Sequence, residues 1–212
     1  MLIQGQIGPI VATSSIGQGT PAPLRQGNMG EAILSELHGR YYEATYRRAV
    51  FSACSSAAVA TVAVGTTASY TGMYLANPIG NPFNLVLLKA SYALSVACPT
   101  AGFLALEAGY NSSSNVTVGG AITSSSNFFG VGAAGTGLVG AGSATLPTAP
   151  IARLFLSNAS TQATTLFGGM GPNVVDLEGS IILPPGAFVA FATFATNTAA
   201  WWFGLTWEEV PA

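Results

Sequence analysis

SIILPPGAFVAFATF, residues 180–194, and WWFGLTWEEV, residues 201–210, decide how this chain folds. In the second stretch Trp201, Phe203, Leu205 and Trp207 recur at every other position. That spacing turns side chains to one face of a β-strand. In the first, two apolar runs flank Pro184-Pro185-Gly186, which reads as two strands joined around a turn.

The same signals extend towards the N-terminus. TVAV (61–64), KASYALSVA (89–97) and IARLFLSNAS (151–160) are strand candidates, with Tyr92, Leu94 and Val96 on one face of the second. Turn clusters separate them at Asn77-Pro78, Gly80-Asn81-Pro82, Asn111 to Asn115, Gly119-Gly120 and Gly168 to Pro172. Many short strands with almost no helix after residue 40 predict an all-β, antiparallel β-sandwich. Lys89 and Arg153 mark solvent-side or edge positions in it.

Before residue 40 the pattern changes. Residues 1–27 carry five glycines and three further turn signals among Pro9, Pro21 and Pro23, with no sustained periodicity, and read as an extended arm. Asn28 stands three residues before Glu31 in a capping-box-like arrangement, which predicts a short helix from Glu31 to His38, closed by Gly39. RYYEATYRRAVFSA (40–53) leans towards strand through its Tyr, Thr, Val and Phe content. The expected organisation is an arm with a short helix over residues 1–39 and a sandwich over 40–212. Ser112 to Thr148, rich in Gly, Ala, Ser and Thr, should form a long excursion of loops with one or two weak strands.

Charge is scarce. Only 7% of the 212 residues are charged, against roughly 25% in ordinary soluble domains. Half of the charged residues precede residue 50, and only Lys89 and Glu107 fall between Val50 and Pro150. A free monomer ordinarily keeps a charged surface for solubility, so this chain must present Ser, Thr, Asn, Gly and Ala instead or cover much of itself with partners. The net charge of −2 and pI of about 5.2 leave no basic footprint for nucleic acid. Mean hydropathy is +0.49, yet Lys89, Pro99 and Glu107 interrupt the most apolar stretch, so no membrane span is expected. The opening MLIQGQIGPIV lacks the pattern of a secretory signal. Cys54 and Cys98 read as reduced, small apolar residues, and the Asn-x-Ser/Thr triplets at Asn111, Asn115 and Asn158 as chance.

Chemistry is equally sparse. Gly130, Gly132 and Gly135 in GVGAAGTG (130–137) match G-x-G-x-x-G. A dinucleotide site also needs a buried strand before the motif, a helix after it and an acid about 20 residues on. ITSSSNFF precedes it, GLVGAGSATLPT follows, and no acid occurs between Glu107 and Asp176. His38 and Asp176 are the only residues of their types, so neither a catalytic triad nor a metal cluster is expected. Glu208 and Glu209 are adjacent and should point to opposite faces of an exposed edge, so they cannot act together on one substrate. No catalytic, cofactor-binding or metal-binding residue is assigned. Trp202 alternates out of the Trp201–Phe203–Trp207 face and is the one tryptophan expected at the surface.

The combination of a Gly/Pro-rich arm, ELHGRYYEATYRRAVFSAC (36–54), ANPIGNPFNLVLLKASYALS (76–95) and LPPGAFVAFATF (183–194) with WWFGLTWEEVP (201–211) resembles the jelly-roll cement, or decoration, proteins of tailed bacteriophages, including cyanophages. The likeness covers most of residues 25–212, and the excursion from Ser112 to Thr148 departs from a compact version of that family. The resemblance implies a jelly-roll sandwich and a non-enzymatic role without cofactors. It implies dimers or trimers that bind the major capsid protein on the outer surface of a virion, between capsomers, after synthesis in the host cytoplasm. Arg25, Arg47, Arg48 and Trp202 are the candidate interface residues. The rival expectation is a carbohydrate- or receptor-binding jelly roll of a fibre or tail, working through Trp202, Phe128 and Phe129.

Overall fold

The computed structural model describes residues 5–6, 24–25, 39–95, 102–129, 134–159, 172–194 and 197–212. The chain divides at Tyr42/Glu43 into two units. In the first, β1 (Gly5–Gln6) and β2 (Leu24–Arg25) pair in parallel, Gln6 opposite Arg25. The helix expected from Glu31 to His38 lies outside the described residues.

In the second unit, α1 (Tyr42–Tyr46) crosses the division and leads into β3 (Val50–Cys54). Part of the 40–53 stretch is therefore helical rather than extended. Glu43 and Ala44 favour one helical turn. Arg48, at φ 62°, ends it before Val50 and Phe51 begin the strand. Eleven strands follow: β4 (Val59–Thr61), β5 (Met73–Ala76), β6 (Phe83–Leu94), β7 (Gly102–Tyr110), β8 (Ala121–Ile122), β9 (Ser125–Ser126), β10 (Leu138–Ala141), β11 (Ile151–Ala159), β12 (Asn173–Leu183), β13 (Ala187–Thr193) and β14 (Asn197–Pro211).

They form two antiparallel sheets. The first runs β11-β7-β13-β5-β10-β8 and the second β12-β6-β14-β3-β9, with β4 also on β14. Four pairings set the frame of the sandwich: β7 with β11, β6 with β12, β5 with β13, and β3 with β14. The first half of the sandwich thus pairs with the second half in reverse order, as in one long hairpin. Rolling that hairpin sends successive strands to alternate sheets, which is the jelly-roll topology. Pro184-Pro185-Gly186 is accordingly a crossing from the second sheet to the first. Gly186 sits at φ +89°, where an added Cβ would meet the Asn111 carbonyl at 2.5 Å. Buried Asn77 pins this end, its Nδ2 donating to the carbonyls of Phe83 and Leu183, both at 2.8 Å.

The inner faces meet in a core of Trp201, Phe203, Leu205 and Trp207 from β14, Leu85, Leu87 and Tyr92 from β6, and Leu75, Leu104, Leu106, Val189 and Phe191 from the first sheet. Phe191 and Phe203 stack across the two sheets at 4.3 Å. Burying each such side chain contributes about 1.5–3 kcal/mol. Every residue of β13 is buried, because the first sheet carries a second apolar layer on its outer face. There Tyr70, Tyr74, Phe188 and Ala190 pack with Val116, Ala144 and Leu146. The Ser112–Thr148 excursion is thus the tip of the rolled hairpin, folded back as a cover, and it supplies β10 as an interior strand.

Candidate functional site

Sheet alternation leaves part of the first sheet's outer face uncovered. On β7, Leu104 and Leu106 enter the core, so Phe103, Ala105 and Glu107 face outward. Phe155 stands opposite Ala105 on β11 and shares that face, and Phe194 follows β13. The three phenylalanines form one cluster. Phe155 stacks on Phe194 at 5.3 Å, while Phe103 meets Phe155 edge-on at 5.9 Å and Phe194 at 6.5 Å. Their exposures are 48%, 64% and 48% for Phe103, Phe155 and Phe194. At about 200 Å² for a whole aromatic side chain, they present roughly 300 Å² of apolar surface. Arg153 and the buried Glu107 are the only charged residues on β7, β11 and β13. β11 is also the outermost strand of its sheet.

A groove opens between β11 and β12, the neighbouring edges of the two sheets, with a volume of about 740 Å³. Leu154, Leu177 and Leu183 line it, with Ile151 and Arg153 from β11. Arg153 is thus an exposed edge residue, while Lys89 lies half-buried on an interior strand, off the core face.

The sequence-derived candidates stand elsewhere. Arg25 pairs through its backbone with Gln6 in the first unit. Arg47 and Arg48 are exposed after α1. The Arg48 guanidinium carbon lies 5.4 Å from the Phe128 ring centroid, and Tyr46 meets that ring edge-on at 6.1 Å. Beside them Phe129 is 90% exposed. Trp202, 42% exposed, points outward from β14 in register with Ala93. Small residues surround that strand, since a Cβ on Gly204 would meet Ser91 Oγ and Cys54 Sγ. The phenylalanine cluster was missed in the sequence. Its signal was LFL at 154–156, where consecutive apolar residues must occupy both faces of a strand.

Of the glycine motif only Gly135 is among the described residues. Gly130 to Ala133 lie outside the described residues. The amides of Thr136 and Gly137 donate to Glu209 Oε1 at 2.6 and 3.3 Å, and Gly135 donates to Ser124 Oγ at 2.9 Å. The anion these amides hold is the chain's own carboxylate. Glu208 and Glu209 do point to opposite faces, but β14 is an interior strand and Glu209 is buried. The expected exposed edge is therefore corrected. The C-terminal strand lies between two others because the rolled hairpin brings first and last strands together.

Glu107 is the buried carboxyl of greatest chemical interest. It is 0% exposed. Its Oε2 accepts the Gly65 amide at 3.0 Å, and Oε1 has no hydrogen-bond partner. Burial pushes its pKa up to about 7, with the Gly65 bond opposing the shift. Among the described residues no group of three His, Cys, Asp or Glu side chains could hold a metal ion. Asp176 and Glu178 are exposed and share a local contact, the Glu178 amide donating to Asp176 Oδ1 at 3.1 Å. His38 and Cys98 lie outside the described residues, and Cys54 is a free, exposed thiol.

No family model, curated protein or solved structure matches this chain. Among the described residues no helix is long and apolar enough to cross a membrane.

Proposed function

We propose that this chain is a non-enzymatic decoration protein that binds the outer surface of a phage head between capsomers and braces the shell. The observation that carries this reading is the exposed Phe103–Phe155–Phe194 face on a charge-poor sheet edge. An apolar patch of this size on a monomer is often functional. Covering it contributes up to about 7 kcal/mol by area, before the costs of association. It is also smaller than the roughly 800 Å² each partner buries in a standard interface. It therefore serves as an anchor within a larger contact to the major capsid protein or to another copy in a dimer or trimer. Few charges need desolvation when such a surface is covered. Several modest contacts made through one oligomer gain avidity.

Purified protein mixed with heads that lack it tests the reading. Saturable, stoichiometric co-sedimentation, reduced at least tenfold by Phe155→Ser, is expected. Absence of any association with heads sinks it.

Trp202 and Phe129 support a second reading, a carbohydrate- or receptor-binding jelly roll of a fibre or tail. Both rings stand clear of the core, and exposed aromatic faces stack on sugars. Phe128, engaged by Arg48 and Tyr46, is less suited to that role. A few copies at the tail, with glycan binding lost in Trp202→Ala, would favour this reading over decoration.

A further inference from the structure

Residues 62–72 form a strap across the outer face of the first sheet. At one end Thr193 bonds to both sides of Ala63, its carbonyl accepting the Val64 N–H and its own N–H donating to the Val62 carbonyl. At the other, buried Tyr70 donates its hydroxyl to the carbonyls of Phe191 and Met73, at 2.7 and 3.0 Å. Between these anchors Thr66 closes a local turn, its amide and hydroxyl both bonding back to the Ala63 carbonyl at 3.2 and 2.7 Å. Ala68 and Ser69 are exposed, and Ser69 sits at φ 53°. Thr67 accepts one bond, from the Leu146 amide at 2.9 Å. Gly65 donates to Glu107 beneath it. We propose that Glu107 is a proton-operated latch: its neutral carboxyl lets residues 65–69 close over the sheet, and loss of the proton releases them.

The surroundings of Glu107 make the two protonation states unequal. The strap brings Tyr70 towards it, and Tyr74 on β5 packs edge-on against Tyr70; both hydroxyls are raised above their ordinary range, chiefly by burial. Both therefore stay neutral when Glu107 titrates. Ala190 on β13 and Ala152 on β11 stand opposite Glu107 in the sheet. Residues 142–150 carry no titratable side chain. Arg153, the nearest cation along β11, lines the groove between the sheets. Among the described residues no cation balances a carboxylate in this position, and one of its oxygens has no donor. An unpaired buried charge costs far more than an unpaired neutral group. Opening the strap to water relieves that cost.

Release also has a place to act. Phe103, Ala105 and Glu107 are alternate residues on one face of β7, so the latch adjoins the exposed phenylalanine cluster. Lifting residues 65–69 extends that apolar face and places a carboxylate at its margin. This inference stands whether or not the partner is a phage head.

Linkage sets the sign and size. A folded-state pKa near 7, against an ordinary 4.5, makes opening more favourable by about tenfold per pH unit between those values and constant above them. The full range is about 300-fold. Hydrogen exchange of the Gly65 and Thr66 amides, the hydrogen-bonded ones of this span, corrected for intrinsic exchange, reads the opening equilibrium in the intact chain. The expected result is a rise of roughly 40-fold from pH 5 to pH 7, a plateau above about pH 8, and no such slope in Glu107→Gln. A slope that persists in Glu107→Gln, or its absence from the unsubstituted protein, overturns the latch. Titration of the Glu107 carboxyl carbon by NMR needs no variant. A midpoint near 4.5 overturns the proposal as well.

Discussion

The Glu209 carboxylate accepts the Thr136 amide at 2.6 Å, joining the last strand to a loop 73 residues earlier in the chain. Its Oε1 also accepts Trp207 Nε1 and the Gly137 amide, each at 3.3 Å. One buried oxygen thus ties the glycine-rich loop, a core tryptophan and the C-terminal strand together.

Glu209→Ala should lower stability by about 1–3 kcal/mol, because it leaves the buried Trp207 indole N–H without its acceptor and frees the Thr136 and Gly137 amides. Glu209→Gln keeps an acceptor oxygen and should lose about half as much. Urea unfolding followed by tryptophan fluorescence measures both. Equal losses in the two variants would argue against an electrostatic role for the carboxylate.

Asn77 offers a neutral counterpart. Its side-chain amide holds the carbonyls of both Phe83 and Leu183, where the β5–β6 connection meets the β12–β13 crossing. Asn77→Leu removes both donors and should cost about 2–4 kcal/mol. A midpoint of unfolding unchanged from the natural protein would show that water replaces the amide at little cost.

The phenylalanine face should behave in the opposite manner. Phe155 is mostly exposed, so Phe155→Ser should alter unfolding free energy by no more than about 1 kcal/mol. Self-association and partner binding, measured by ultracentrifugation, should weaken far more. A large loss of stability with unchanged association would reassign the cluster to the folded core.

Stability should fall as pH rises from about 4.5 to 7, where the folded chain binds more protons at Glu107 than the unfolded chain. Glu107 destabilises the fold by about 3 kcal/mol at neutral pH and above relative to its protonated form. The difference in unfolding free energy between the natural protein and Glu107→Gln isolates this contribution. It should change in size between pH 5 and pH 8. A constant difference would contradict the raised pKa.

Strand identity was legible in β14, β13, β11 and the second half of β6. By contrast, β5, β7 and most of β12 carry no signal that sets them apart, and of TVAV only Thr61 lies in a strand. The alternation of Trp201, Phe203, Leu205 and Trp207 survives intact as the inner face of β14, because period-two patterning is a local property. RYYEATYRRAVFSA was misread in part. Its aromatic and β-branched residues favour extension, but a single helical turn ended by Arg48 precedes the strand. The Ser112–Thr148 stretch was read as loops with weak strands, and β8, β9 and β10 are short. Its role as a cover over Tyr74 and Phe188 had no local signal, since small residues pack equally well in loops and in layers.

An antiparallel sandwich, a charge-poor composition and the outward turn of Trp202 can be read from the residues alone. Those follow from residue type and from spacing between near neighbours. Only tertiary structure decided that Glu209 is buried, that Glu107 lies beneath a strap, and that three distant phenylalanines share one face. Each depends on which strands become neighbours when the long hairpin rolls, and pairing between residues far apart in the chain leaves no mark on the spacing of either.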